Sequence, residues 1–155
     1  MSDPAAVASA LSVEAPVEFD RFARLLADLW EVGRVTDRLR ERVRAALPEA
    51  ALAENGVLWK DASQRDSFRG FRIPQGEGGE RSADELPLEE VMQAMVWMLR
   101  QHHALAVDDL ARETARCFGI KRLGSVVRQV MEAALSRLIT DGECEIEGAT
   151  VRLPS

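Results

Sequence analysis

The chain has 155 residues, with 20 Lys plus Arg against 26 Asp plus Glu, a formal net charge of -6 and a pI near 5.0. That length holds one ordinary domain or two small ones, and 46% hydrophobic with 30% charged residues excludes a chain disordered throughout. No run approaches the roughly 18 apolar residues of a membrane span, the first stretch lacks a basic leader, and Cys117 and Cys144 form no CxxC or His-linked pattern. The expectations are therefore no membrane partner, no disulfide framework, no metal, no cofactor and a cytoplasmic location.

In chain order, a short helix comes first, at most Pro4 to Val13, ending before Ala15-Pro16. Phe19, Phe22, Leu26 and Leu29 then recur at helical spacing. A turn, Glu31 to Val35, leads to Thr36, which can cap a helix with the apolar stripe Leu39, Val43 and Leu47, stopped by Pro48. Gly56 to Lys60 reads as a β segment. Residues 62–85 hold four of the ten glycines and alternating charges and read as a linker, with Phe68, Phe71 and Ile73 suggesting that part of it docks as an extended strand.

A long helix follows from Leu88 to His103, with Pro87 tolerated at its first turn. Leu88, Val91, Met92, Met95, Val96, Trp97, Met98 and Leu99 make it greasy nearly all round, which requires burial on more than one side. Val107, Leu110, Thr114 and Cys117 give the next helix. After the turn Gly119 to Gly124, Ser125 is the expected cap of a helix with the stripe Val127, Met131, Leu135 and Leu138, ended by Asp141-Gly142. The last segment, Cys144 to Leu153, alternates around Gly148 as a hairpin, with Glu143, Glu145 and Glu147 on its outer side.

Sliding the chain on itself by 88 residues aligns Phe19 to Leu47 with Val107 to Leu135 without a gap, with nine of 29 positions identical. Asp20/Asp108, Arg34/Arg122 and Arg40/Arg128 are among them, and the apolar positions match in kind. Shared periodicity of this kind marks an internal repeat. The expected fold is mainly α with small β-hairpins, an α+β class: a degenerate winged-helix-like repeat over residues 1–61, a Gly-rich charged linker over 62–85, and a second winged-helix repeat over 86–155.

Asp108 to Arg128, together with Arg72-Ile-Pro, Glu85-Leu-Pro-Leu-Glu-Glu-Val91 and Leu29-Trp-Glu-Val-Gly-Arg-Val35, resembles an uncharacterised domain at the C-terminal end of large bacterial superfamily I helicase-like proteins. The similarity runs in register over most of the chain. It implies a helicase-associated, DNA-processing or defence context and carries over no catalytic residue. Two departures stand out: the helicase core is absent, and the first repeat has Glu31 where the second has Gly119.

No Gly-Lys dipeptide occurs, so no P-loop is present. Gln75 to Glu80 is glycine-rich but flanked by Glu77 and Glu80, which suits a flexible linker and not a phosphate cradle. His102 and His103 are adjacent, so on a helix they point apart, and no other base exists to activate a nucleophile. Enzymatic activity is not expected.

Nucleic-acid binding remains. Residues 33–47 carry Arg34, Arg38, Arg40, Arg42 and Arg44 against Asp37 and Glu41, and residues 119–139 carry Lys121, Arg122, Arg128 and Arg137 against Glu132. Arg40 and Arg128 recur with Asp20 and Asp108 and read as interhelical ion pairs. Arg34, Arg38, Arg42, Arg44, Lys121 and Arg122 are the candidate phosphate contacts, a solvated face being the other reading. Arg38 and Arg42 align with Val126 and Val130, so the helix face that is cationic in the first repeat is apolar in the second. Val126, Val130, Met92, Met95 and Trp97 are accordingly the candidate protein interface. Together these features suggest a non-enzymatic tandem winged-helix module, binding DNA weakly through repeat 1 and a helicase core or a second copy through repeat 2. The alternative is a protein-protein scaffold or homodimer with no nucleic-acid role.

Overall fold

The computed structural model describes residues 4–74 and 81–154. It divides into two compact units, Met1–Phe68 and Arg69–Ser155. Among the described residues, the first contains α1 (Pro4–Glu14), β1 (Val17–Glu18), α2 (Phe19–Leu29), α3 (Asp37–Ala46), β2 (Leu52–Glu54), β3 (Val57–Trp59) and α4 (Ala62–Ser67). The second contains a 3-10 turn (Ala83–Glu85), α5 (Leu88–His102), β4 (Ala104–Ala106), α6 (Val107–Cys117), α7 (Ser125–Thr140), β5 (Glu145–Glu147) and β6 (Thr150–Arg152). The class is α+β, mainly helical, with two small antiparallel sheets ordered β1-β3-β2 and β4-β6-β5. Helix, strand, helix, helix, strand, strand, with the last strand in the middle of the sheet, is the winged-helix arrangement, and it occurs twice.

The repeat is visible in individual bonds. Phe19 and Val107 open their helices 88 residues apart, and the backbone N–H of each donates to a carbonyl in a hairpin turn, Gly56 or Ala149, at 2.8 Å. The ends of α2 and α6 close by the same i to i-5 bond, Val32 N–H to Ala27 O at 2.8 Å and Ile120 N–H to Ala115 O at 3.0 Å. The residue that turns the chain there is left-handed in both, Glu31 at φ 58° and Gly119 at φ 77°. The missing glycine of the first repeat has left the backbone path unchanged, so Glu31 carries the steric cost that Gly119 avoids.

The first strand of each sheet is two or three residues long and falls below any periodic signal; the sequence suggests only the hairpins. Thr36 caps α3, its hydroxyl accepting from Leu39 N–H at 3.2 Å. Ser125 is not a cap: Gly124 takes that position and Ser125 is the first helical residue. In the first unit Phe22, Leu26, Leu39 and Val43 are buried with Val7 and Leu11 of α1, while Leu29, expected in the apolar stripe, is exposed. In the second, α5 packs on both α6 and α7. Its core holds Met95, Leu99, Leu110, Phe118, Met131 and Leu138.

Residues 62–85, expected as a linker, contain structure. Asp61 caps α4 by accepting from Gln64 N–H at 2.8 Å, and Gln64 donates from Nε2 to Ala15 O at 3.0 Å. Phe68 meets Trp59 edge-on at 5.5 Å. Trp59 is completely buried, and α4 packs on β3. No extended strand forms at residues 68–73: Phe71 packs edge-on against Trp97 and Phe118, and Ile73 is exposed. The glycine-rich segment 75–80 lies outside the described residues.

Glu90 is the main anchor of this segment. Fully buried on α5, it accepts from Arg72 N–H at 2.9 Å and Arg72 Nη2 at 2.6 Å, and from Arg81 Nη1 at 2.7 Å. Arg81 also donates to Arg72 O at 3.0 Å and lies over the Phe118 ring. Burial alone would raise the Glu90 pKa, but the hydrogen bonds and charges of Arg72 and Arg81 outweigh it and hold the carboxyl below its ordinary value.

Two tests follow from these features. Glu31→Gly is expected to stabilise the first unit by up to about 1 kcal/mol, whereas Gly119→Ala destabilises the second by about 1–2 kcal/mol, because its Cβ would sit 3.1 Å from Pro74 Cγ; melts of the two variants should move in opposite directions. Glu90→Ala strips two guanidinium groups of a buried partner and should cost about 3 kcal/mol in urea unfolding. Since the folded pKa of Glu90 is lowered, its contribution is complete above the unfolded value near 4.5 and is lost as pH falls below it. The wild type should therefore lose stability below pH ~4.5 more steeply than Glu90→Gln does.

Candidate functional site

Neither unit is basic as a whole. Residues 1–68 carry nine Lys plus Arg against twelve Asp plus Glu, and residues 69–155 carry eleven against fourteen. Any affinity for an anion must come from local geometry.

Helix phase divides the arginines of α3. Arg40 and Arg44, one turn apart, turn toward the start of α2: Arg40 Nε donates to Asp20 at 3.0 Å and Nη1 to Asp37 at 2.8 Å, while the Arg44 guanidinium lies 4.5 Å from the centre of the Phe19 ring. Arg38 and Arg42 lie on a different face. Arg42 stacks over Trp30, at the end of α2, at 4.5 Å, where a cation on an indole is stabilised by the ring quadrupole. Arg34 and Arg38 are exposed. The expected set of four therefore separates: Arg42 lies on Trp30, Arg34 and Arg38 are exposed, and Arg44 is engaged with Phe19. Glu41 is exposed on the same helix and moderates the charge.

The equivalent face of α7 in the second unit is uncharged. Val126 is 50% exposed, Gln129 and Ala133 are exposed and Val130 is half-buried. Lys121 and Arg122 are exposed in the preceding turn. Trp97 is 43% exposed and braced by Phe71. Met92 and Met95, named above as interface residues, belong to the core, because α5 turns them toward α6 and α7. They give the helix its packing and are not available to a partner. The acidic wing is partly neutralised: Arg152 pairs with Glu145 at 3.4 Å and with Glu147 at 3.2 Å.

The repeated ion pair expected from the alignment is present in both units, Arg40 with Asp20 and Arg128 with Asp108 at 3.7 Å. Sequence reading missed a notch beside it. A cavity of about 40 Å³, open to solvent, lies between α6 and α7, walled by Met95, Val107, Leu110, Met131 and Leu135 with Asp108, Arg128 and Glu132 at its polar side. The only sequence signal was the substitution of Phe19 by Val107 and of Arg44 by Glu132 within an otherwise matched repeat.

Burial, then Glu143, pushes the Cys144 thiol up to about 11. Cys117 is raised by burial and by Glu113. Both thiols are therefore protonated at neutral pH and weak nucleophiles. His102 and His103 are exposed, and among the described residues no group of three or more His, Cys, Asp or Glu could hold a metal ion. No helix among them is long and apolar enough to cross a membrane.

No family model, no curated protein and no solved structure matches the chain. One buried polar atom stands out: among the described residues Thr114 Oγ1 is buried without a hydrogen-bond partner, at the position where the first repeat has Leu26. Replacing the hydroxyl by a methyl in Thr114→Val should raise stability by about 1 kcal/mol, measured as a shift in the thermal midpoint; a drop would mean that this hydroxyl has a bound partner.

Proposed function

We propose that the chain is a non-enzymatic tandem winged-helix module of a helicase-like or DNA-processing system, working in the cytoplasm. Its first unit binds nucleic acid weakly through Arg34, Arg38 and Arg42, and its second contacts protein. The observation that carries this reading is the divergence of one helix face between two copies of one fold: cationic on α3, apolar and neutral on α7. A third helix of this kind enters a groove in helix-turn-helix proteins that bind duplexes, where arginines contact phosphates and base edges. The helicase context rests on the residues quoted above, Asp108 to Arg128 foremost.

A scaffold or homodimer without a nucleic-acid role is the second reading. Leu25 and Leu29, one turn apart on α2, are both exposed, and the acidity of each unit favours it.

Fluorescence anisotropy of the full chain with labelled duplex and single-stranded DNA across a salt series separates the two. Three phosphate contacts predict a log-log salt slope of about -2.7 on duplex DNA. Arg34→Glu with Arg38→Glu should abolish binding while shifting stability by less than about 0.5 kcal/mol, since both side chains are exposed; Arg42 is left intact because it braces Trp30. Absence of binding even at low salt would leave only the scaffold reading.

A further inference from the structure

The face of α7 that stands in place of the arginine face of α3 has charge at its ends and none along its length. Val126, Gln129, Val130 and Ala133 follow one another at i, i+3, i+4 and i+7, so they form one stripe along the helix. Arg137, one turn further on the same line, ends it. Val126 is 50% exposed, Gln129, Ala133 and Arg137 are exposed, and Val130 is half-buried. Arg137 is loosely engaged, its Nε 3.6 Å from Asp141. At the other end Lys121 and Arg122 stand exposed in the turn that enters the helix. From Val126 to Arg137 the stripe is about 16 Å long. It holds no carboxylate, in a unit where Asp plus Glu outnumber Lys plus Arg by fourteen to eleven. Glu132, the one acid of α7, lies on a different side and lines the notch with Asp108 and Arg128. In the first unit the same line reads Arg38, Glu41, Arg42 and Ala45. The second unit shares the arginine of the entering turn, Arg122 for Arg34, and is without charge in the middle.

We propose that this stripe docks an amphipathic helix of a partner protein, one with carboxylates at both ends of its apolar face. Val126, Val130 and Ala133 receive the apolar side chains, Lys121 and Arg122 one acidic end, and Arg137 the other. Anchors at i, i+3, i+4 and i+7 are the spacing by which one helix reads another. Charge complementarity selects the occupant. An apolar run bounded by cations at both ends repels a basic helix and leaves its charges unpaired, whereas an acidic helix finds a partner at each end. A phosphate backbone is the poorer fit: it offers no apolar face to Val126 and Val130, and the wing of the same unit presents Glu145 and Glu147. This inference rests on the protein-contact half of the proposed function and is independent of nucleic-acid binding by the first unit.

The test is an NMR titration of the isotope-labelled full chain with the peptide acetyl-Glu-Glu-Leu-Ala-Ala-Leu-Leu-Ala-Ala-Leu-Glu-Glu-amide, with the same peptide carrying Lys for Glu, and with duplex DNA. The Glu peptide is expected to shift the amides of Val126, Gln129, Val130 and Ala133 and to bind about tenfold tighter than the Lys peptide, the difference shrinking as salt rises. Val126→Asp is an exposed change in a first helical turn, where an acid is tolerated. It should weaken binding of the Glu peptide by about tenfold while the rest of the spectrum stays native. Lys121→Glu with Arg122→Glu should reverse the preference between the peptides. Equal binding of the two peptides, or full binding by Val126→Asp, overturns the acidic partner and leaves protein contact by the second unit standing. No shift with either peptide at about 1 mM overturns the site, and shifts of the same amides by DNA alone overturn the protein-contact reading with it. A dimer in light scattering that Val126→Asp returns to monomer overturns the proposal in favour of a second copy.

Discussion

One backbone bond in each unit fixes the start of its second helix against the wing: the N–H that opens the helix donates to a carbonyl in the hairpin turn, Phe19 to Gly56 and Val107 to Ala149. With the helix start tied to the wing, the first helical side chain must enter the space beside the third helix. The second, Asp20 or Asp108, must face Arg40 or Arg128. The two residues that differ most between the repeats in this region, at the first helical position and on the facing turn of the third helix, lie next to that fixed point. Divergence there alters a surface without disturbing the fold, because the bond depends on backbone and not on side-chain identity.

The helices, their turns and the repeat were legible because they rest on apolar periodicity and on a few residues with one dominant physical use: Thr36 as a cap, Gly142 and Gly148 at positive φ, Pro87 before a helix. The ion pairs of Arg40 and Arg128 were legible because they recur. What was not legible lacks a periodic signature. Helix α4 has six residues, none buried, and exists because Asp61 caps it and Gln64 ties it to Ala15; nothing in Ala62 to Ser67 announces that. The burial of Glu90 was hidden for a related reason. A carboxylate among apolar neighbours reads as an exposed edge of the helix until two arginines, 9 and 18 residues away, are brought onto it.

The candidate site was half legible. Composition located the arginines of α3 but could not distinguish the face that meets Trp30 from the face that meets Phe19 and Asp20, since both recur every turn. It likewise placed Met92 and Met95 at a surface because a helix greasy all round has no outward side in one dimension. In three dimensions α6 and α7 take those flanks, and of the expected interface residues Val126 and Trp97 are the exposed ones.

The wing of the second unit has a role apart from any ligand. Strand β5 is an outer edge of its sheet, and Ile146 on it is 45% exposed. An uncovered edge with an apolar residue invites another chain to add a strand, and flanking charges are the common guard against it. Glu145 and Glu147 stand on either side of Ile146 and are cross-linked to Arg152 of β6. In the first unit the sheet gains cover from α4 packed on β3. The acidic hairpin thus sets charge along an exposed sheet edge, the arrangement that opposes edge-to-edge strand pairing.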